Sequence, residues 1–268
     1  MSRQTRTDAV FFVAALIAIT PFVLQLAGMP GGELGEELRL YVGSLSKLLF
    51  LVVAAFGAAR SAASFEADNP MRSSWRIMAV GLAGFAAGEA VLVFYQAALR
   101  VPSPFPSAAD FFFVPSYPLL FAGLLRAIRA YGESGYPVGS PGERAQTAAA
   151  TVAAAALAAY PMLRPIVAVP APALEMFLNV AYPVLDLALL VPVVILLRIA
   201  FRFRGGEVWK VWAGMLAGFL LSCAADVLFA YFTASGHESL DPLSDVLFIL
   251  SYAALARGAI GQYHLLKA

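Results

Sequence analysis

Eight runs of apolar residues, each about 20 long, divide the chain at roughly 9–28, 40–62, 75–97, 109–130, 146–164, 172–198, 208–233 and 243–265. A helix needs about 20 mostly apolar residues to cross the hydrocarbon of a bilayer, and only a helix or a closed barrel satisfies its backbone polar groups there. The pattern therefore predicts an all-α integral membrane protein with eight transmembrane helices. Composition agrees, since 61% of residues are hydrophobic and 13% charged, against about 45–50% and about 25% in an ordinary soluble domain. The first run is too long for the apolar part of a signal peptide and no small-residue cleavage site follows it, so it is read as a retained helix.

Basic residues sort by side. Arg3, Arg6, Arg60, Arg72, Arg76, Arg126, Arg129, Arg144, Arg198, Arg202, Lys210 and Arg257 fall together, with Arg204 and Lys267, whereas Arg39, Arg100 and Arg164 lie opposite. Positive residues stay in the cytoplasm, which places both termini there. The outer connections, MPGGELGEE, RVPSPFPSA and SGHESLD, read as short loops. A formal net charge of +1 gives no reason to expect nucleic acid. Cys223 is the single cysteine, so no intrachain disulfide forms and redox chemistry is not indicated. His237 and His264 lie on opposite sides and cannot share a metal or haem. No P-loop, HExxH or GxSxG motif occurs, and the chain is not read as an enzyme.

The chain repeats itself. Residues 110–123 read DFFFVPSYPLLFAG, and 135 positions later residues 245–258 read DVLFILSYAALARG. Trp75-Arg76 answers Trp209-Lys210 and Leu82 to Phe85 answers Leu216 to Phe219, at an offset of 134. Pro21 and Pro30 answer Pro161 and Pro170 at an offset of 140. The expectation is a tandem 4+4 repeat, residues 1–135 and 145–268 within one membrane domain, related by a pseudo-twofold axis along the membrane normal.

An ionisable side chain at membrane depth costs about 2.5–3.5 kcal/mol on insertion scales and needs a reason to be there. Lys47, Glu89, Asp186 and Asp226 qualify. At about 1.5 Å per residue, Lys47, Glu89 and Asp226 lie roughly 10–12 Å from the outer surface, and Asp186 lies deeper. Glu89 aligns with Cys223, one helical turn from Asp226, so each half offers a carboxylate at a similar place. Either these groups pair with one another and with Tyr95, Tyr117, Tyr182 or Tyr252 between helices, or they line an outer cavity. Ser107 and Asp110 fit a capping box, and Asp241-Pro242 fits an N-cap followed by the first helical residue, with Asp245 in the first turn. Capping leaves Tyr117 and Tyr252, two turns further on, unexplained; they are expected to face the helices of Glu89 and Asp226. Pro118, Pro161 and Pro183 each follow a tyrosine inside a predicted span and are expected to kink their helices.

The stretches PSAADFFFVPSYPLLFAGLL, AYPVLDLALL and AADVLFAY resemble signatures in the N-terminal multi-helix membrane region of bacterial GGDEF diguanylate cyclases. The resemblance runs from about residue 40 to the end. It implies a bacterial plasma-membrane sensor region, with Asp110, Tyr117, Pro118, Tyr182, Pro183, Asp186, Asp226, Asp245 and Tyr252 lining a sensing or packing core. The chain carries no output domain after Ala268, so the expectation is a stand-alone sensory or regulatory domain that responds to a small ligand, ion or protonation and signals through a partner protein. Two alternatives stand beside it: a small proton- or cation-coupled transporter or channel, and a scaffold subunit of a membrane complex. The sequence names no cofactor.

Overall fold

The computed structural model describes residues 3–29, 31–101, 103–168, 170–203 and 206–267. It is helical throughout, with no strand among the described residues. Among the described residues, eight helices are long and apolar enough to cross a membrane. We number them α1 (Arg3–Leu26), α2 (Gly32–Ser64), α3 (Pro70–Ala98), α4 (Asp110–Glu133), α5 (Pro141–Ala168), α6 (Ala173–Ala200), α7 (Glu207–Ser235) and α8 (Asp241–Leu265). All eight predicted spans are present, and several run past their apolar segments because polar residues begin them early. Asn69 caps α3 by accepting from the Met71 N–H at 2.9 Å, with Pro70 in the first turn. Ser140 and Glu143 close a reciprocal capping box on α5, the Ser140 N–H donating to Glu143 at 2.7 Å.

Two expectations need correction. The segment GELGEEL, taken as a loop, is the first two turns of α2; Gly31 turns the chain with a left-handed φ of 77° and Glu33 sits in the first turn, where a negative charge favours the helix start. Asp241 is the first residue of α8 and not its cap, since the residue before it, Leu240, already has helical dihedrals.

Neighbour contacts run in a closed circuit, α2–α3–α4–α6–α7–α8 and back to α2. The remaining two helices lie outside it: α1 packs mainly against α8, and α5 against α6 and α7. Only 6% of the apolar stretch of α5 is buried within the chain, so its side chains, Leu157 and Tyr160 among them, form surface for lipid. Within the circuit, helices approach closely at small residues, as membrane packing favours. A Cβ on Gly84 would lie 2.0 Å from the Ser116 hydroxyl, and one on Gly218 would lie 2.6 Å from Leu255. Ser251 also donates to the Gly218 carbonyl at 2.9 Å, tying α8 to α7. At one end of the bundle Arg257 pairs with Asp8 at 2.9 Å and Arg126 with Glu133 at 2.7 Å.

Regular α geometry fails twice, in π-helical turns at Arg39–Ser44 of α2 and Phe94–Ala98 of α3. These turns face each other, and Ser44 donates to the Gln96 carbonyl oxygen across them at 2.5 Å. By contrast, α4, α5 and α6 run as continuous helices through Pro118, Pro161 and Pro183.

Candidate functional site

The end of the helix circuit away from Arg126 and Arg257 encloses a cavity of about 390 Å³. Six helices supply its walls, and the segment before α4 adds Ser103, Phe105 and Ser107 to its lining. Of the candidates named from the sequence, Lys47, Glu89, Asp110 and Tyr117 line this volume. So do Tyr182, Pro183, Asp226, Asp245 and Tyr252. The choice between helix contacts and a lined cavity was therefore too sharp, because the same side chains do both.

Lys47, 7% exposed, enters from α2 just beyond its π-helical turn. Its ammonium donates to Asp245 of α8 at 2.9 Å and stands 3.6 Å from Glu89 of α3, an ion-pair distance beyond hydrogen-bond reach. Glu89 is 3% exposed, and its Oε1 accepts no hydrogen bond. The Ser244 hydroxyl, buried beside Asp245, likewise has no hydrogen-bond partner and lines the cavity.

The α4, α6 and α7 side is arranged differently. Tyr117 donates to Asp186 Oδ1 at 3.0 Å. Asp186 is buried, Oδ2 of its carboxyl accepts no hydrogen bond, and it does not line the cavity; it sits behind the wall that Tyr117 forms. Asp226 of α7 approaches the same carboxyl and the Tyr117 hydroxyl. Tyr182 donates to Asp110, whose second oxygen accepts from the Ser107 N–H at 2.6 Å. Ser107 in turn accepts from the Ala109 N–H at 3.2 Å, so only half of the expected capping box forms: Asp110 reaches back to Ser107, but Ser107 meets Ala109 and the helix itself starts at Asp110. Asp110 thus begins its helix and holds an aromatic wall of the cavity at once. Tyr117 does face the Glu89 helix, its ring packing edge-on against Phe85 of α3 at 5.2 Å, but the acceptor of its hydroxyl is Asp186 of α6.

Five carboxyl groups line the cavity, on Glu89, Asp110, Asp226, Asp241 and Asp245, against one ammonium. Aromatic rings fill much of the remaining wall. Phe105 stands 6.5 Å from Tyr182 and edge-on to Phe229 at 6.4 Å, and Tyr117 lies 6.1 Å from Tyr182. Sequence reasoning missed Phe105 and Phe229. Phe105 was hidden in a proline-rich loop, although an aromatic ring in so polar a turn was a usable signal; Phe229, three residues after Asp226, shares its helix face. Among the described residues no group of three His, Cys, Asp or Glu side chains could hold a metal ion. Pro118 and Pro161 are not part of the cavity wall, and Cys223 is a partly buried free thiol.

No family model, curated protein or solved structure matches the chain. The fold and site define a multi-pass helical membrane protein with an acidic, aromatic cavity at one end.

Proposed function

We propose that this protein is a sensory or regulatory domain of the bacterial plasma membrane, in which a small ligand enters the cavity from the outer side and biases helices that a partner protein reads at the cytoplasmic end. It is not an enzyme in this reading. The observation that carries the proposal is the cavity itself: polar side chains from α2, α3, α4, α6, α7 and α8 converge on about 390 Å³, a volume in the range of small-molecule sites, about 300–1,000 Å³. The basic residues gathered at the other end, Arg126 and Arg257 among them, support cytoplasmic termini by the positive-inside rule.

The tandem repeat belongs to the proposal. Its support is the contact circuit, which passes through α2, α3 and α4 and then, in the same order, α6, α7 and α8. A pseudo-twofold axis along the membrane normal would exchange these two groups of three. It would exchange Asp245 with Asp110 at the offset of 135, and it would set Lys47 beside the position of Asp186 at the offset of 140. The outer helices depart from it, since α1 rests on α8 whereas α5 rests on α6 and α7.

Transport of a proton or cation is the second reading, favoured by Asp186, which sits one layer behind the cavity wall with an unpartnered oxygen. Reconstitution into liposomes separates the two. The sensory reading expects ligand binding without flux, and cross-linking in native membranes that recovers a signalling protein whose yield changes in Asp226→Asn. Proton or cation flux that disappears in Glu89→Gln or Asp226→Asn would overturn it in favour of transport.

A further inference from the structure

The two polar clusters of the cavity differ in one respect that bears on the ligand. On the α2, α3 and α8 side, Lys47 is engaged by Asp245 at 2.9 Å and Glu89 at 3.6 Å. On the α4, α6 and α7 side, Asp110, Asp186 and Asp226 have tyrosine hydroxyls, a backbone N–H and each other, and no cation. Among the described residues Lys47 is the one basic residue of the cavity wall, so an anionic ligand would meet five carboxyls and an ammonium already held. A neutral apolar ligand would leave the excess of carboxyls unmatched and the Glu89 Oε1 and Ser244 hydroxyl atoms unpartnered.

We propose that the cavity binds a small organic ammonium ion that carries N–H donors and an apolar body, with its charge at Asp226 and its body among Phe105, Tyr182 and Phe229. The proposal deepens the sensory reading and rests on it for the ligand's role. In this arrangement the ammonium does for the second cluster what Lys47 does for the first. Asp226 and Phe229 lie three residues apart on α7, so carboxylate and ring share one face. The rings of Phe105, Tyr182 and Phe229 lie within 6.5 Å of their neighbours, and a cation is attracted to the negative faces of such rings. A bare metal ion is a poorer fit, because no three ligating side chains come together among the described residues. A quaternary ammonium would satisfy the rings but has no N–H to donate to Asp226.

The test uses the full chain in nanodiscs and three probes of one shape: 2-phenylethylamine, 2-phenylethanol and 3-phenylpropionate. Calorimetry is read after subtraction of empty nanodiscs. The amine should bind at least about tenfold more tightly than the alcohol, as charge-assisted hydrogen bonds imply, and the carboxylate should not bind. Asp226→Asn should abolish the preference and Asp226→Glu should restore part of it. Phe229→Leu weakens the amine in a second, charge-neutral variant, so the test survives if Asp226→Asn does not fold. Nanodiscs with and without phosphatidylethanolamine distinguish sources: unchanged amine affinity identifies a free solute, and competition identifies a lipid headgroup amine, both being the proposed chemistry. Equal binding of the alcohol, tighter binding of the carboxylate, or an unaltered preference in folded Asp226→Asn overturns the proposal. The two readings fail separately. Carboxylate binding overturns the amine and leaves a sensor; preferential amine binding that never alters the partner supports the amine and removes the sensor.

Discussion

Lys47, Glu89 and Asp245 on one side of the cavity, and Asp110, Asp186 and Asp226 on the other, solve the same problem by different means. The first group brings its own cation and spends it on two acids, at 2.9 and 3.6 Å. The second group has none, and distributes its carboxyls over tyrosine hydroxyls and a helix start. Burial sharpens the contrast, because Lys47, Glu89 and Asp186 are each less than 10% exposed. A buried charge pair adds little over an apolar pair, yet removing one partner is severe because the other is left uncompensated. The first cluster should therefore be the structural one, intolerant of change, and the second the adaptable one.

The largest effect is expected from Lys47→Met. Glu89 and Asp245 would then face each other without a cation, and unfolding in detergent should show a loss of about 3–5 kcal/mol. The double variant Lys47→Met/Glu89→Gln should recover a substantial part of it, since the buried charge has gone. A loss below about 1 kcal/mol in the single variant, the scale of an exposed pair, would erase the distinction between the clusters.

Tyrosine removal ranks next. Tyr117→Phe strips Asp186 Oδ1 of its donor in a carboxyl whose other oxygen already has none, so about 1–3 kcal/mol should be lost. Tyr182→Phe is the internal comparison. Asp110 keeps the Ser107 N–H and lies nearer solvent, so that loss should stay below about 1 kcal/mol. Equal losses in the two variants would mean that Asp186 draws its support from elsewhere.

How much of this was legible from sequence follows physical lines. The eight spans were readable because each must carry its own apolar length. Lys47, Glu89 and Asp226 stood out because charge is costly at depth. Their partners were less legible, since the lateral order of helices decides them: nothing local to Tyr117 says that α6 supplies its hydrogen-bond acceptor while α3 packs Phe85 on its ring. The π-helical turns before Lys47 and after Glu89 were invisible as well; the first holds Gly43, packed close on Phe22 of α1, and Ser44 reaches Gln96 across the two. Of the three prolines expected to kink their helices, Pro183 lines the cavity and Pro118 and Pro161 do not.

The smallest stability change, and the most diagnostic, belongs to Asp226→Asn. This variant removes a carboxyl from a place where Asp186 already crowds it and no cation stands. The asparagine amide can donate to the Asp186 oxygen that now accepts nothing. Relief of like charge and the new donor offset the lost carboxyl, so unfolding should move by no more than about 1 kcal/mol, in either direction. The same chemical change in the first cluster, Glu89→Gln, removes a buried partner of the cavity's ammonium and should destabilise more. If Asp226→Asn instead unfolds the protein as Lys47→Met does, the second cluster is also a structural clamp, and its acids are committed to the fold before any ligand arrives.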